Sequence, residues 1–303
     1  MIDRISMLVV IGSDDLYKVL YGQLLSMREE RKVLVPNGSI QVQFNKVKYT
    51  TRLDYYPEYA KSKGGKRKIA DITIGKNKIQ GQEKLYRHLT LTLYPSRFEV
   101  DDFERFKDTI DSFFQEYGYS AFYNFSKVNY LELARDTKSH LNHTFLPYQS
   151  YISRSGVYKG KDGSCGTIYI GSSKSNAQFR IYDKQKKNIA DGLTTNGEDP
   201  LTRFESVQKR LGLSPCELVK MCNPFPKLKI ADLGKAKAMY VDSEWPGFLV
   251  TCQFEGVPRA LHMIKEQARR KKYKAALNSI PVPWWNPHAV WKHFPDALLE
   301  IAP

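Results

Sequence analysis

The sequence predicts an α+β fold, with a largely antiparallel central sheet carrying helices on one face and a mainly helical, basic C-terminal region. Three observations predict it. Arg87 to Pro95 alternates Leu89, Leu91 and Leu93 with His88, Thr90 and Thr92, as a half-buried strand does. Phe103, Phe106, Ile110, Phe113, Phe114 and Tyr117 then recur at helical spacing, and Val128 to Asp136 resumes strand character, giving a strand-helix-strand unit. From about residue 227 the character changes, and Val257 to Asn278 reads as one helix rich in cations.

In chain order, Ser6 to Ile11 is a buried strand, and Asp14 to Met27 a helix behind the cap Ser13. Gln41 to Leu53 alternates as a strand. Lys61-Ser62-Lys63-Gly64-Gly65-Lys66-Arg67-Lys68 is a glycine turn with five cations. It is either a basic hairpin tip that reaches a DNA backbone, through Lys63, Lys66, Arg67 and Lys68, or a solvated loop. Gly118 ends the aromatic helix. Residues 188–200 form a link rich in Gly, Thr and Asn, and Leu201 to Val207 is a further strand. Ser214-Pro215-Cys216-Glu217 has a serine cap, a first-turn proline and a reciprocal glutamate, so a helix starts there. Two domains are expected, residues 1–226 and a basic accessory region at residues 227–303.

The chain carries a formal net charge of +15. Such a balance with many aromatics selects a polyanionic partner, and nucleic acid comes first. An anionic membrane surface is disfavoured, because no long apolar run, lipidation motif or basic amphipathic helix with a bulky apolar face is present. The opening Met1-Ile2-Asp3-Arg4 lacks the apolar core of a signal peptide, which predicts a cytoplasmic protein. Four cysteines without paired spacing predict reduced, packed thiols, and His140 with His143 a surface pair. Arg269, Arg270, Lys271 and Lys272 are the densest cations of the C-terminal helix and candidates for phosphate contact. Trp284, Trp285 and Trp291 either stack on unpaired bases or staple the terminal segment to a core.

Chemistry concentrates at Gln178 to Lys184. Alternation puts Arg180, Tyr182 and Lys184 on one face and Phe179 and Ile181 on the other. A phenol between two cations suits nucleophilic attack on a phosphate, since the cations hold phosphate oxygens and ease formation of the phenolate. An ordinary strand with one wet face carries the same pattern.

The order of Leu91-Thr92-Leu93-Tyr94-Pro95-Ser96, Tyr130-Leu131-Glu132-Leu133-Ala134-Arg135-Asp136, Arg180-Ile181-Tyr182-Asp183-Lys184, Arg203-Phe204-Glu205 and Arg210-Leu211-Gly212-Leu213-Ser214 resembles the gene II/X replication initiators of filamentous phages. These are relatives of plasmid rolling-circle initiators. The resemblance implies an endonuclease fold of the His-hydrophobic-His class, working in the bacterial host cytoplasm. It implies an enzyme that nicks and rejoins one strand at a phage or plasmid origin through a 5′-phosphotyrosine, with host helicase and polymerase as partners. Tyr182 and Lys184 fall on the family's tyrosine motif, Arg203 and Glu205 on its Arg-Phe-Glu, and Glu132 and Asp136 on its acidic strand. Tyr130 and Glu132 stand where an arginine and an aspartate are usual. The His-hydrophobic-His motif is represented only by His88-Leu89-Thr90, so His88 either works with carboxylates or matches by coincidence. Glu132 and Glu205, with Asp136 or His88, would then hold Mg²⁺ or Mn²⁺. The alternative is a non-catalytic origin-binding protein or repressor.

Overall fold

The computed structural model describes residues 1–29, 32–35, 38–45, 50–57, 68–78, 85–141, 144–149, 154–160, 165–190 and 200–303, with backbone only within 24–50 and 76–85. The fold is α+β with antiparallel pairing and a mainly helical C-terminal region. The chain forms two compact units. One comprises residues 1–132, 210–221 and 295–303, the other residues 133–209 and 222–294. The division therefore does not fall at 226, and two strands, β7 (Lys127–Lys138) and β12 (Leu201–Leu213), run from one unit into the other.

The first unit pairs β2 (Lys32–Val35), β3 (Gly38–Asn45), β4 (Thr50–Pro57), β5 (Ala70–Lys78), β6 (Leu85–Leu93) and β1 (Ile2–Ile11) in that order, all antiparallel. The single strand expected over Gln41 to Leu53 is thus two strands, and residues 46–49 between them lie outside the described residues. Leu53, Ile72, Leu91 and Met7 stand in one register row across β4, β5, β6 and β1, all buried. Alternation on β6 thus predicts the core face correctly. On this side lie α1 (Asp14–Glu29), whose buried Tyr17 takes the Arg87 guanidinium over its ring, and α2 (Asp102–Phe114). Phe106 of α2 meets Tyr55 edge to face, 5.4 Å between centroids.

Beyond a 3₁₀ turn comes α3 (Tyr119–Phe125), which the sequence reading missed. Gly118 is required there because a Cβ would lie 2.1 Å from Asp111 Oδ1, the atom that accepts the Tyr119 amide. The capping box at Ser214 forms as expected, with Glu217 Oε2 accepting the Ser214 amide at 2.7 Å, but the segment it opens is a 3₁₀ helix, Pro215–Lys220. That cap and the nearby Lys127 hold the Glu217 carboxyl down at about 2.

The second unit pairs β9 (Ser155–Lys159), β10 (Cys165–Ile170), β11 (Ala177–Asp183) and β12, with the second half of β7 beyond, and separately β8 (Phe145–Tyr148) with β13 (Lys229–Asp232). Phe179, Ile181 and Phe204 form its core face. Trp284 lies 5.5 Å from Phe145, and Trp285 5.0 Å from Phe204 and 6.0 Å from Phe225, while Trp291 stacks on Phe294 at 4.3 Å. Trp284 and Trp285 therefore staple the terminal segment to a core, while Trp291 packs within that segment.

The helical region runs through α5 (Leu233–Ala238), α6 (Trp245–Glu255), α7 (Val257–Met263), α8 (Gln267–Asn278), α9 (Pro287–Trp291) and α10 (Phe294–Leu299). The one helix expected over Val257 to Asn278 is two, because the chain turns extended at Ile264 and Glu266. The Arg270 guanidinium takes the carbonyl of Ile264 that this break frees. The cysteines are free, but only Cys252 is fully packed, while Cys216 and Cys222 are exposed. Of the histidine pair, His140 is exposed and His143 lies outside the described residues. Among the described residues no helix is long and apolar enough to cross a membrane.

Candidate functional site

The polar face of β11 and β12 is where the sequence-predicted groups meet. Antiparallel pairing sets Tyr182 opposite Arg203 and Arg180 opposite Glu205. The Tyr182 hydroxyl donates to Glu205 Oε1 at 2.6 Å. Arg180 Nε lies 3.3 Å from the other oxygen, Oε2. Arg203 grips Asp136 with two parallel bonds, Nε to Oδ1 at 2.6 Å and Nη2 to Oδ2 at 2.8 Å. The face is not wet, since Tyr182 is 8 % and Glu205 2 % exposed. A carboxylate so deeply buried needs partners to remain charged, and the phenol and guanidinium are those partners.

Lys184 does not continue the strand. Asp183 Oδ1 accepts the Lys186 amide at 2.8 Å, turning the chain into the short helix α4 (Lys184–Ala190). From that helix Lys187 reaches the phenol, its Nζ donating to the Tyr182 hydroxyl at 3.4 Å and lying 4.9 Å from the ring centroid. Sequence reading missed Lys187 because it extended the alternation one residue too far. The signal was there, for Asp183 followed by Lys184-Gln185-Lys186-Lys187 is a capping aspartate before helix formers.

In the first unit, His88 and Glu132 are both buried. Glu132 accepts from the Tyr130 hydroxyl. His88 stands between Val10 and Gly75 in the register, its Nδ1 has no hydrogen-bond partner among the described residues, and burial lowers its pKa, so the imidazole is neutral near pH 7.

Of the cations proposed to touch DNA, Lys68, Arg269, Arg270 and Lys272 are engaged within the fold. Lys63, Lys66 and Arg67 lie outside the described residues. Lys68 is no loop tip, for its ammonium bridges Asp54 at 3.1 Å and Asp71 at 2.9 Å, and the Tyr94 hydroxyl donates to the same Asp71 at 3.1 Å. Its pKa is raised, since Asp71 and Asp54 outweigh the burial that opposes its charge. Asp54 and Asp71 were missed in the sequence, although an aspartate between apolar neighbours in Leu53-Asp54-Tyr55 and Ala70-Asp71-Ile72 marks a buried polar row. On α8, Arg269 pairs with Glu244 and Glu266, Arg270 holds the Ile264 carbonyl, and Lys272 donates to the Val241 carbonyl at 2.8 Å. Lys271 alone of the four is exposed with no hydrogen bond or ion pair among the described residues.

A divalent ion needs several oxygen or nitrogen ligands with free lone pairs converging on one point. Among the described residues no group of three or more His, Cys, Asp or Glu side chains is so placed. Asp136 is committed to Arg203, Glu205 to Tyr182 and Arg180, and Glu132 to Tyr130, so these residues do not fit a metal centre as they stand. What the second unit offers is a phenol with a carboxylate acceptor and a cation on the same oxygen. The chain matches no protein-family model, and no curated protein matches it.

Proposed function

We propose that this protein cuts and rejoins one strand of DNA through a covalent bond to Tyr182. The observation that carries the reading is the pairing of the Tyr182 hydroxyl with Glu205 at 2.6 Å and Lys187 at 3.4 Å. A free phenol, with a pKa near 10, is a weak nucleophile at neutral pH. Glu205 takes its proton as the phenol oxygen attacks phosphorus, and Lys187 balances the charge developing on that oxygen. The phosphorus bond to the departing 3′ oxygen breaks, that oxygen takes a proton from water and leaves as a 3′-hydroxyl, and Glu205 passes the phenol proton to solvent. The 5′ side stays on Tyr182 as a phosphodiester, and the reverse reaction reseals the strand without ATP. At an origin on supercoiled DNA, a host helicase would open the duplex and a host polymerase would extend the freed 3′-hydroxyl.

The scissile phosphate must reach a phenol that α4 covers. That helix buries none of its own side chains, so displacing it gives up little apolar contact. Covering also favours the second reading, a DNA-binding protein without catalysis, in which the same ion pairs serve only the fold. Incubation with supercoiled DNA carrying the origin, with Mg²⁺, with Mn²⁺ and with chelator, separates the two. The catalytic reading expects a protease-sensitive covalent adduct that Tyr182→Phe abolishes. Binding without any adduct would leave the repressor reading, and the chelator arm reads metal dependence directly.

A further inference from the structure

The second unit holds a cleft of about 490 Å³ between β13, the C-terminal end of α8 and residues 281–287. That volume lies within the roughly 300–1,000 Å³ range of small-molecule sites. Apolar side chains of Leu228, Ile230, Leu277 and Val282 form much of the wall, and Trp285 supplies a large flat one. No acid lines it, and the ionisable groups at its edge are Lys229 and His288, both exposed. Another cleft of this unit differs, since Glu244 and Glu266 line it beside Lys265 and Arg269.

The walls are held before any ligand arrives. Trp285 packs on Phe204 and Phe225, and its indole N–H donates to the Leu228 carbonyl at 3.2 Å. Tyr148 donates to Asn278 Oδ1 at 2.7 Å, so the Asn278 amide N–H groups, which have no partner among the described residues, are the donors of that pair toward a ligand. Val282 N donates to the Ile230 carbonyl at 3.1 Å, and Asn223 Nδ2 to the Pro287 carbonyl at 3.0 Å, tying the loop down at both ends. Rigid aromatic walls, an amide donor, and the Lys229 ammonium with the His288 imidazole at the rim describe a receptor for a flat, polar-edged ring joined to an anion.

We infer that this cleft takes one nucleotide of a single DNA strand, with its base against Trp285 and its phosphate at Lys229 and His288. The inference rests on the DNA reading above and adds the place where an unpaired base is held. Its test is photocrosslinking of an oligonucleotide containing 5-iododeoxyuridine to the full chain, with the modified peptides identified by mass spectrometry. Crosslinks are expected at Trp285, Tyr148 or His288. Lys229→Glu with His288→Glu, both at exposed positions and so safe for folding, should cut their yield and weaken oligonucleotide affinity about tenfold. Crosslinks found only elsewhere, or unchanged in the double variant, overturn the inference. Displacement by free thymidine monophosphate at equal nucleotide concentration would overturn the assignment to a strand, since a strand site gains from neighbouring phosphates. The adduct assay at Tyr182 is separate. An adduct without crosslinks in the cleft sinks this inference alone, and crosslinks without an adduct sink only the catalytic reading.

Discussion

Each unit places a tyrosine on the polar side of its sheet with its hydroxyl on a buried carboxylate, yet the two phenols are built for different ends. Tyr94 donates to Asp71, whose charge is already matched by Lys68, which also bridges Asp54. Its cations sit over the ring, with Arg97, Lys68 and Arg4 at 4.4, 5.3 and 5.7 Å from the centroid. Burial, and then Asp71, raise its pKa, so it stays a phenol. Tyr182 donates to Glu205, which takes its proton in the proposed reaction, and Lys187, although also over the ring, reaches the hydroxyl oxygen as no cation of Tyr94 is seen to do among the described residues. A cation over the ring favours the neutral aromatic face, whereas one at the oxygen favours the phenolate. The number of charges near a tyrosine therefore says less than which atom they address.

The comparison breaks most sharply on the covalent adduct. Tyr182→Phe should remove it entirely on denaturing gels, at a stability cost of about 1 kcal/mol for the lost hydrogen bond. Tyr94→Phe should keep it. An adduct that survives the first change and vanishes with the second exchanges the roles assigned to the two phenols.

Next in size is Lys68→Met, which leaves Asp54 with Arg52 and takes from the buried Asp71 the ammonium that matches its charge. Chemical denaturation should show a loss of about 3 kcal/mol, as for removal of one partner of a buried pair. Lys187→Met, at an exposed position, should cost under about 1 kcal/mol of stability but slow adduct formation about tenfold to a hundredfold. Equal stability losses at the two lysines would erase the distinction drawn between lattice and site.

Alkaline titration sharpens the same contrast. The pKa of Lys68 is raised in the fold, so its contribution is fully present below its ordinary value of 10.5 and is lost as pH climbs through the higher folded value. Thermal melts of the wild type should fall in that range, and Lys68→Met should lack this component of the fall.

The smallest effect concerns the C-terminal cations. Reversing Lys271, which stands free of its neighbours, should lower the salt dependence of duplex binding by about 0.9 per lost phosphate contact. Reversing Arg269 should instead be read in stability, because Glu244 and Glu266 hold it. Filter binding across a salt series distinguishes the two.

Local pattern was legible in the chain. The alternation of Arg87 to Pro95 determined a core face, the phenylalanine spacing determined α2, and Ser214 with Glu217 determined a cap. Those signals have periods of two to four residues and are decided by neighbours in sequence. Tyr182 as the centre of a polar face, with Arg180 beside it, was legible for the same reason, whereas Glu205 was expected only through the family resemblance, as a metal ligand and not as the phenol's acceptor. Only the tertiary structure decided which charges remain available. Arg203 meets Asp136 across 67 positions, Lys68 is drawn off a supposed loop by Asp54 and Asp71, and Lys187 reaches the phenol from α4. The reason is the cost of burying a charge alone: each buried carboxylate recruits whichever cation the folded chain brings within reach, and no periodicity in the sequence records that choice.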